Sequence, residues 1–145
     1  GASVIMLARP STRADEALSS IAAVASGPAP RLIDCDLLHF ESVYEAAAAV
    51  REETSEGGID VLCLNAGVML QPDVASWDGY DVTASTNVLS HFLLTRELMP
   101  ELRTAAARTG DARVVSMSSG SGFGPPAFDP RFLTRAGGML GGAKY

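Results

Sequence analysis

Lysine is almost absent from this chain: ten of the eleven basic residues are Arg, and Lys144 is the single exception. No basic run occurs and the net charge is -6, which argues against a general nucleic-acid surface, because phosphate backbones are held by clustered positive charge. Cysteine is scarce too. Cys35 and Cys63 each lie inside a short apolar run, where a thiol behaves as a small hydrophobe, and they form neither a disulfide framework nor a metal-ligand spacing. No apolar run approaches the roughly 18 residues that a membrane span requires. There is no internal repeat, and no signal or transit segment is visible, which says nothing about targeting in a chain expected to lack its amino terminus; a cytoplasmic location is the working expectation. The first residue is Gly1 and an apolar run opens within three residues, while the chain stops at Tyr145. The expectation is therefore a piece of a longer protein.

What is present suits one globular domain. Hydrophobic residues make up 47% and charged residues 19% of 145 positions, enough apolar material for a core and far from the composition of disorder. The run Ser3 to Ala8 reads as a strand buried on both faces. Residues 12–26 follow with Leu18, Ile21, Ala22 and Ala25 at helical spacing, acidic residues in the first turn and Gly27-Pro28 as a stop. Arg31 to Cys35 reads as a second strand. Residues 40–55 form a second helix, with Val43, Ala46, Ala47 and Val50 on one face, and Gly57-Gly58 ends it. Ile59 to Leu64 is a third strand. The stretch from Ser76 to about Thr109 is expected to be largely helical despite Pro100. Ala112 to Met117 is a fourth strand, and the remainder is a Gly-, Pro- and Ser-rich loop.

Strands alternating with helices of this length predict an α/β fold: a Rossmann-type, doubly wound parallel sheet with helices on both faces, here an incomplete three-layer α/β/α arrangement. Ligands of such sheets bind at the carboxyl ends of the strands. Directly after the first strand stands Arg9, either an ordinary solvated strand-end residue or a guanidinium suited to the 2'-phosphate that distinguishes NADP from NAD. An acidic residue there would favour NAD. Arg13 is a weaker phosphate candidate. After the second strand, Asp36-Leu37 suits a helix-capping loop, or an adenine met by a carboxylate and a backbone N–H. After the third, Asn65-Ala66-Gly67 is small enough to let the backbone approach a ribose or a neighbouring strand closely.

Taken in order, Asp36-Leu37, Asn65-Ala66-Gly67-Val68, Thr86-Asn87, Phe92-Leu93-Leu94-Thr95, Leu98-Met99-Pro100 and Arg113 to Ser119 resemble the short-chain dehydrogenase/reductase family across nearly the whole chain. The nearest likeness is to the retinol-dehydrogenase-like and WW-domain-oxidoreductase-like members, which share an Asn-x-x-x-His-Phe-Leu-Leu-Thr run. The resemblance implies NADP, or alternatively NAD, as cofactor. It implies Asp36 and Leu37 at the adenine, Arg9 at the adenosine ribose or its phosphate, and Asn65, Ala66 and Gly67 beside the cofactor. It also implies Asn87, Ser119 and Tyr145 as catalytic, with Ser118 as the competing register for the serine. Tyr145 is either the catalytic tyrosine of the family's Tyr-x-x-x-Lys or an aromatic just ahead of it. Lys144 is not that lysine.

Three departures from the family pattern stand out. Leu64 precedes Asn-Ala-Gly where Asn is frequent, and Ser90 stands three residues after Asn87 where Gly is common. The Gly-rich turn that seats a pyrophosphate on a helix N-terminus would precede Gly1. Gly137 to Gly142 follows no strand and reads either as a loop near the substrate or as a structural one. Residues 1–145 are thus expected to be a single NAD(P)-binding domain without its first strand or its carboxyl-terminal part. The implied activity is hydride transfer between nicotinamide and a small alcohol, aldehyde or ketone, with no metal; a homo-oligomer is compatible with it. The rival readings are a non-catalytic NADP-binding regulatory module on the same fold and an unrelated doubly wound domain such as a methyltransferase.

Overall fold

A computed structural model of the chain describes residues 1–119 and 133–134. The elements run β1 (Ile5–Ala8), α1 (Thr12–Val24), β2 (Arg31–Asp34), α2 (Phe40–Thr54), β3 (Val61–Leu64), α3 (Val82–Ala84), α4 (Ser90–Glu97), α5 (Met99–Thr109) and β4 (Arg113–Ser116), with a π turn at Ser85–Leu89 joining α3 to α4. Helix α1 opens where Ser11, in extended conformation, accepts a hydrogen bond from the Ala14 N–H at 3.2 Å, with Asp15 in its first turn, which satisfies one orphan donor and complements the helix dipole. Helix α5 carries Pro100 in its first turn and ends at Gly110 in the left-handed region, φ 83°, the usual place for each residue type.

The strands pair in parallel: β1 with β2 in the register Ala8 to Asp34, and β3 with β4 in the register Leu64 to Ser116. Among the described residues these are two separate two-stranded sheets. A shared core joins them. Val43, Ala46, Ala47 and Val50 of α2 and Leu93, Leu94, Leu98 and Leu102 of α4 and α5 pack with Leu62 and Leu64, and Ile5, Leu7 and Ile33 lie against the same cluster. This is the doubly wound α/β fold expected from the alternation of strands and helices. In β3 the residues alternate, Leu62 and Leu64 buried and Val61 and Cys63 exposed, while all of β4 is exposed.

The stretch expected to be largely helical from Ser76 to about Thr109 is helical over most of its length but starts later. Residues 65–81 contain no helix, an isolated antiparallel bridge joins Ala75 to Asp81, and the helical stretch begins only at Val82, capped by Asp81 through its hydrogen bond from Ala84 N–H. It is broken again at Leu98, whose φ of -97° and ψ of 5° leave the helical region. A proline two residues on suits a new helix start better than a continued helix. Gly58 adopts φ 71° and lies so close to α5 that a Cβ would collide with the Glu101 carbonyl and the Ala105 amide nitrogen. The Ile59 N–H donates to that same Glu101 carbonyl at 3.0 Å, so the entry to β3 is moored to α5.

Candidate active site

The register of each strand pair brings the candidate residues to the carboxyl ends. Cys35 N–H donates to the Ala8 carbonyl at 3.1 Å, carrying the ladder one step past β2, so Arg9 and Asp36 leave neighbouring strands side by side. Likewise Met117 N–H donates to the Leu64 carbonyl at 3.0 Å, so Asn65-Ala66-Gly67 and Ser118-Ser119 emerge together. Arg9, Asn65, Ala66, Gly67 and Ser119 are all exposed. Tyr145 lies outside the described residues, as does the loop Gly137 to Gly142.

Asp36 shapes its own turn. Its Oδ1 accepts from Leu38 N–H at 3.0 Å, its N–H donates to Ser42 Oγ at 2.9 Å, and its carbonyl accepts from His39 N–H at 3.1 Å. Short polar side chains favour this local closure. Among the described residues, no hydrogen bond engages Asp36 Oδ2 or the Leu37 N–H, leaving one acceptor and one donor at the strand end. Arg9 takes part in no ion pair with the described acidic residues. A carboxylate oxygen, a backbone N–H and an unpaired guanidinium form a donor and acceptor set that fits an adenosine carrying a phosphate.

Asn87 sits in the middle of the π turn and locks the other loop. Its Oδ1 accepts from Val68 N–H at 2.9 Å and its Nδ2 donates to the Val68 carbonyl at 2.9 Å, a two-point match between one side-chain amide and both backbone groups of one residue. π turns of this kind occur often at functional sites. A Cβ added to Gly67 would lie 3.7 Å from Asn87 Oδ1, so the glycine borders the same amide. One turn on, the imidazole of His91 is buried; burial holds its pKa below the usual 6.5, and a hydrogen bond with the Asn87 backbone opposes that shift. Cys35, next to Asp36, has its thiol pushed up to about 11, first by burial and then by the Asp36 carboxylate. It is a packing residue, not a nucleophile.

Three contributors were not apparent from residue type: the Val68 backbone, Ser42, and the pair Ser85 and Ser90. The only signal in the sequence is Ser90, which stands where the resemblance leads one to look for Gly. A groove of about 440 Å³ lined by Phe92, Thr95, Arg96, Met99, Pro100 and Arg103 includes none of the candidate residues. Among the described residues no group of acidic, His or Cys side chains could hold a metal ion, and no helix is long and apolar enough to cross a membrane.

Parallel strand pairs, helical crossovers and polar groups gathered at the strand ends define a Rossmann-type nucleotide-binding fold. Within that class the chain belongs to the short chain dehydrogenase family, whose model matches residues 1–131. It is 32% identical over 119 residues to mouse retinol dehydrogenase 13, covering 82% of this chain and 34% of that protein. A crystal structure of a protein from Mycobacterium Paratuberculosis superimposes with a TM-score of 0.73 at 32% identity, over 99% of this chain and 48% of that one. A metagenomic short-chain oxidoreductase crystallised in complex with NADP gives a TM-score of 0.65 at 27% identity, over 88% and 55% of the two chains. The chain spans between 24% and 41% of the length of curated relatives it matches.

Proposed function

We propose that these residues form the cofactor-binding part of an NADP-dependent oxidoreductase acting on an alcohol, aldehyde or ketone. The observation that carries this reading is the two-point clamp of Asn87 on Val68, which ties the π turn to the loop Asn65-Ala66-Gly67 at the carboxyl end of β3. The similar metagenomic oxidoreductase in complex with NADP supports the choice of cofactor, as does Arg9 at the end of β1.

In this reading Arg9 binds the 2'-phosphate, with NAD as the weaker ligand. Asp36 Oδ2 accepts from the adenine amino group while the Leu37 N–H donates to a ring nitrogen. Asn65, Ala66 and Gly67 border the ribose, where small side chains allow close approach. When bound, the nicotinamide supplies or accepts the hydride. Ser119 donates a hydrogen bond to the substrate oxygen, and the phenol of Tyr145 gives that oxygen its proton in reduction or removes it in oxidation. The Asn87 amide is largely occupied by Val68, so it holds a relay water through its remaining lone pair, its second N–H or its backbone. The working protein is taken to be cytoplasmic, and its substrate is a small hydrophobic alcohol or carbonyl compound.

The test is NADPH oxidation by the full-length protein against a panel of hydrophobic aldehydes and ketones. Turnover with NADPH is expected. Binding of NADPH without turnover of any such compound would instead leave a cofactor-binding module, and binding of a methyl donor in place of NADPH would overturn the reading altogether.

A further inference from the structure

Ser85 and Ser90 are both fully buried, and both donate their hydroxyl to a single acceptor, the backbone carbonyl of Leu37, at 3.1 and 2.6 Å. Their spacing explains how. Residues five apart face the same direction only where the helix adds a residue per turn, and the π turn Ser85–Leu89, in which the Ser90 N–H bonds the Ser85 carbonyl, does this. A carbonyl oxygen has two lone pairs, and here each is taken by a hydroxyl from the same turn. Leu37 lies 48 and 53 residues away along the chain from the two serines, so the contact is tertiary and not a local cap.

The rest of the Asp36 to His39 turn is fixed equally tightly. Leu38 N–H is bound by Asp36 Oδ1 and the Leu38 carbonyl accepts from Trp77 N–H at 3.0 Å. The carbonyl that the serines hold shares its peptide plane with the Leu38 N–H, and that N–H donates to Asp36 Oδ1, so the serines fix the peptide to which the Asp36 carboxylate is tied. The groups of the turn with no partner among the described residues are Asp36 Oδ2 and the Leu37 N–H, the latter joined to that plane through the Leu37 Cα. Meanwhile Asn87, between the two serines, grips Val68. One π turn therefore holds two strand-end loops at once, in opposite directions.

From this we infer that Ser85 and Ser90 are positioning residues for the adenine end of the cofactor, fixing the Leu37–Leu38 peptide through its carbonyl and, through its Leu38 N–H, the Asp36 carboxylate. The inference rests on the cofactor reading above. A serine at position 90, where the family commonly has glycine, then acts as a second anchor on this peptide. Removing one hydroxyl leaves the carbonyl with the other; removing both leaves a buried acceptor unsatisfied, the costlier state.

The experiment uses the full-length protein and its Ser85→Ala, Ser90→Ala and double variants. Three quantities are measured: the Kd of 2',5'-ADP, which carries the adenosine end without nicotinamide; the KM and kcat with NADPH; and the Tm. Each single variant is expected to weaken 2',5'-ADP about three- to tenfold and the double variant about tenfold or more, with KM for NADPH rising by more than kcat falls. A variant that had merely lost structure would lose kcat and Tm together without that split, which would overturn the inference. So would 2',5'-ADP affinity unchanged in folded single variants. Failure of the wild-type protein to bind either nucleotide would overturn the cofactor reading itself and this inference with it, so the two failures are told apart by the wild-type titration.

Discussion

Two hydroxyls follow β4, and only one of them can face a substrate oxygen in the proposed site. Ser119→Ala is expected to lower kcat by about a hundredfold or more, in line with loss of a hydrogen bond made to a reacting oxygen, while Ser118→Ala is much milder. Steady-state kinetics of the two variants decide it, and a larger loss at Ser118 would shift the register by one residue. Titration gives a second prediction at this scale. His91 is held neutral by burial, its pKa below 6.5, so the unfolded chain takes up a proton at a higher pH than the folded one. Its contribution to stability is complete above about pH 6.5 and is lost as pH falls through the folded value. Tm should therefore drop between pH 7.5 and 5, and His91→Gln should flatten that drop; an unchanged slope would remove His91 as its source. Arg9, Asp36 and Asn87 were legible in the sequence because a charged or amide side chain directly after a strand, or in a recognisable run, carries its own signal. Ser85 and Ser90 were not, since a serine in a helical stretch has no visible partner until a carbonyl some fifty residues away is brought to it.

At the scale of elements, the strands and the first two helices follow the sequence pattern to within a few residues, because apolar spacing and stop residues act locally. The stretch after β3 does not. Periodicity in residues 76–109 marks an apolar face but cannot report where one residue is added to make a π turn, nor that Leu98 leaves the helical region to begin α5 at Met99. Both irregularities serve packing: the first aims Ser85, Asn87 and Ser90 at two different loops, and the second places the fully buried Leu98 in the core. Gly58 tests how α5 is moored to β3. Its positive φ and its contact with the α5 backbone make Gly58→Ala incompatible with the native geometry, with an expected loss of about 1 to 3 kcal/mol. Thermal or denaturant unfolding measures this, and a neutral Gly58→Ala would show that β3 and α5 are not tightly joined. The same substitution at Gly57, around which a Cβ meets nothing, serves as the control.

Across the whole molecule, the two parallel strand pairs share a core but no ladder among the described residues. The strand order that the family resemblance implies places a further parallel strand between β1 and β3, which would then stand about two strand spacings apart, roughly 9.6 Å. Without a partner there, each facing edge leaves backbone groups to water or to another chain. The isolated 145-residue chain is therefore expected to melt with low cooperativity and to bind NADPH negligibly; a cooperative monomer with micromolar affinity would contradict the proposed topology. The central claim, that the strand ends gathered around Arg9, Asp36 and Asn65 to Gly67 hold an NADP cofactor, is tested most directly by calorimetric titration of the full-length protein and its Arg9→Asp variant with NADPH and NADH. The account predicts NADPH favoured by about ten- to a hundredfold in the wild type, as one charge-assisted bidentate contact allows, and that preference lost in Arg9→Asp; binding of neither nucleotide, or a preference that Arg9→Asp leaves unchanged, would contradict it.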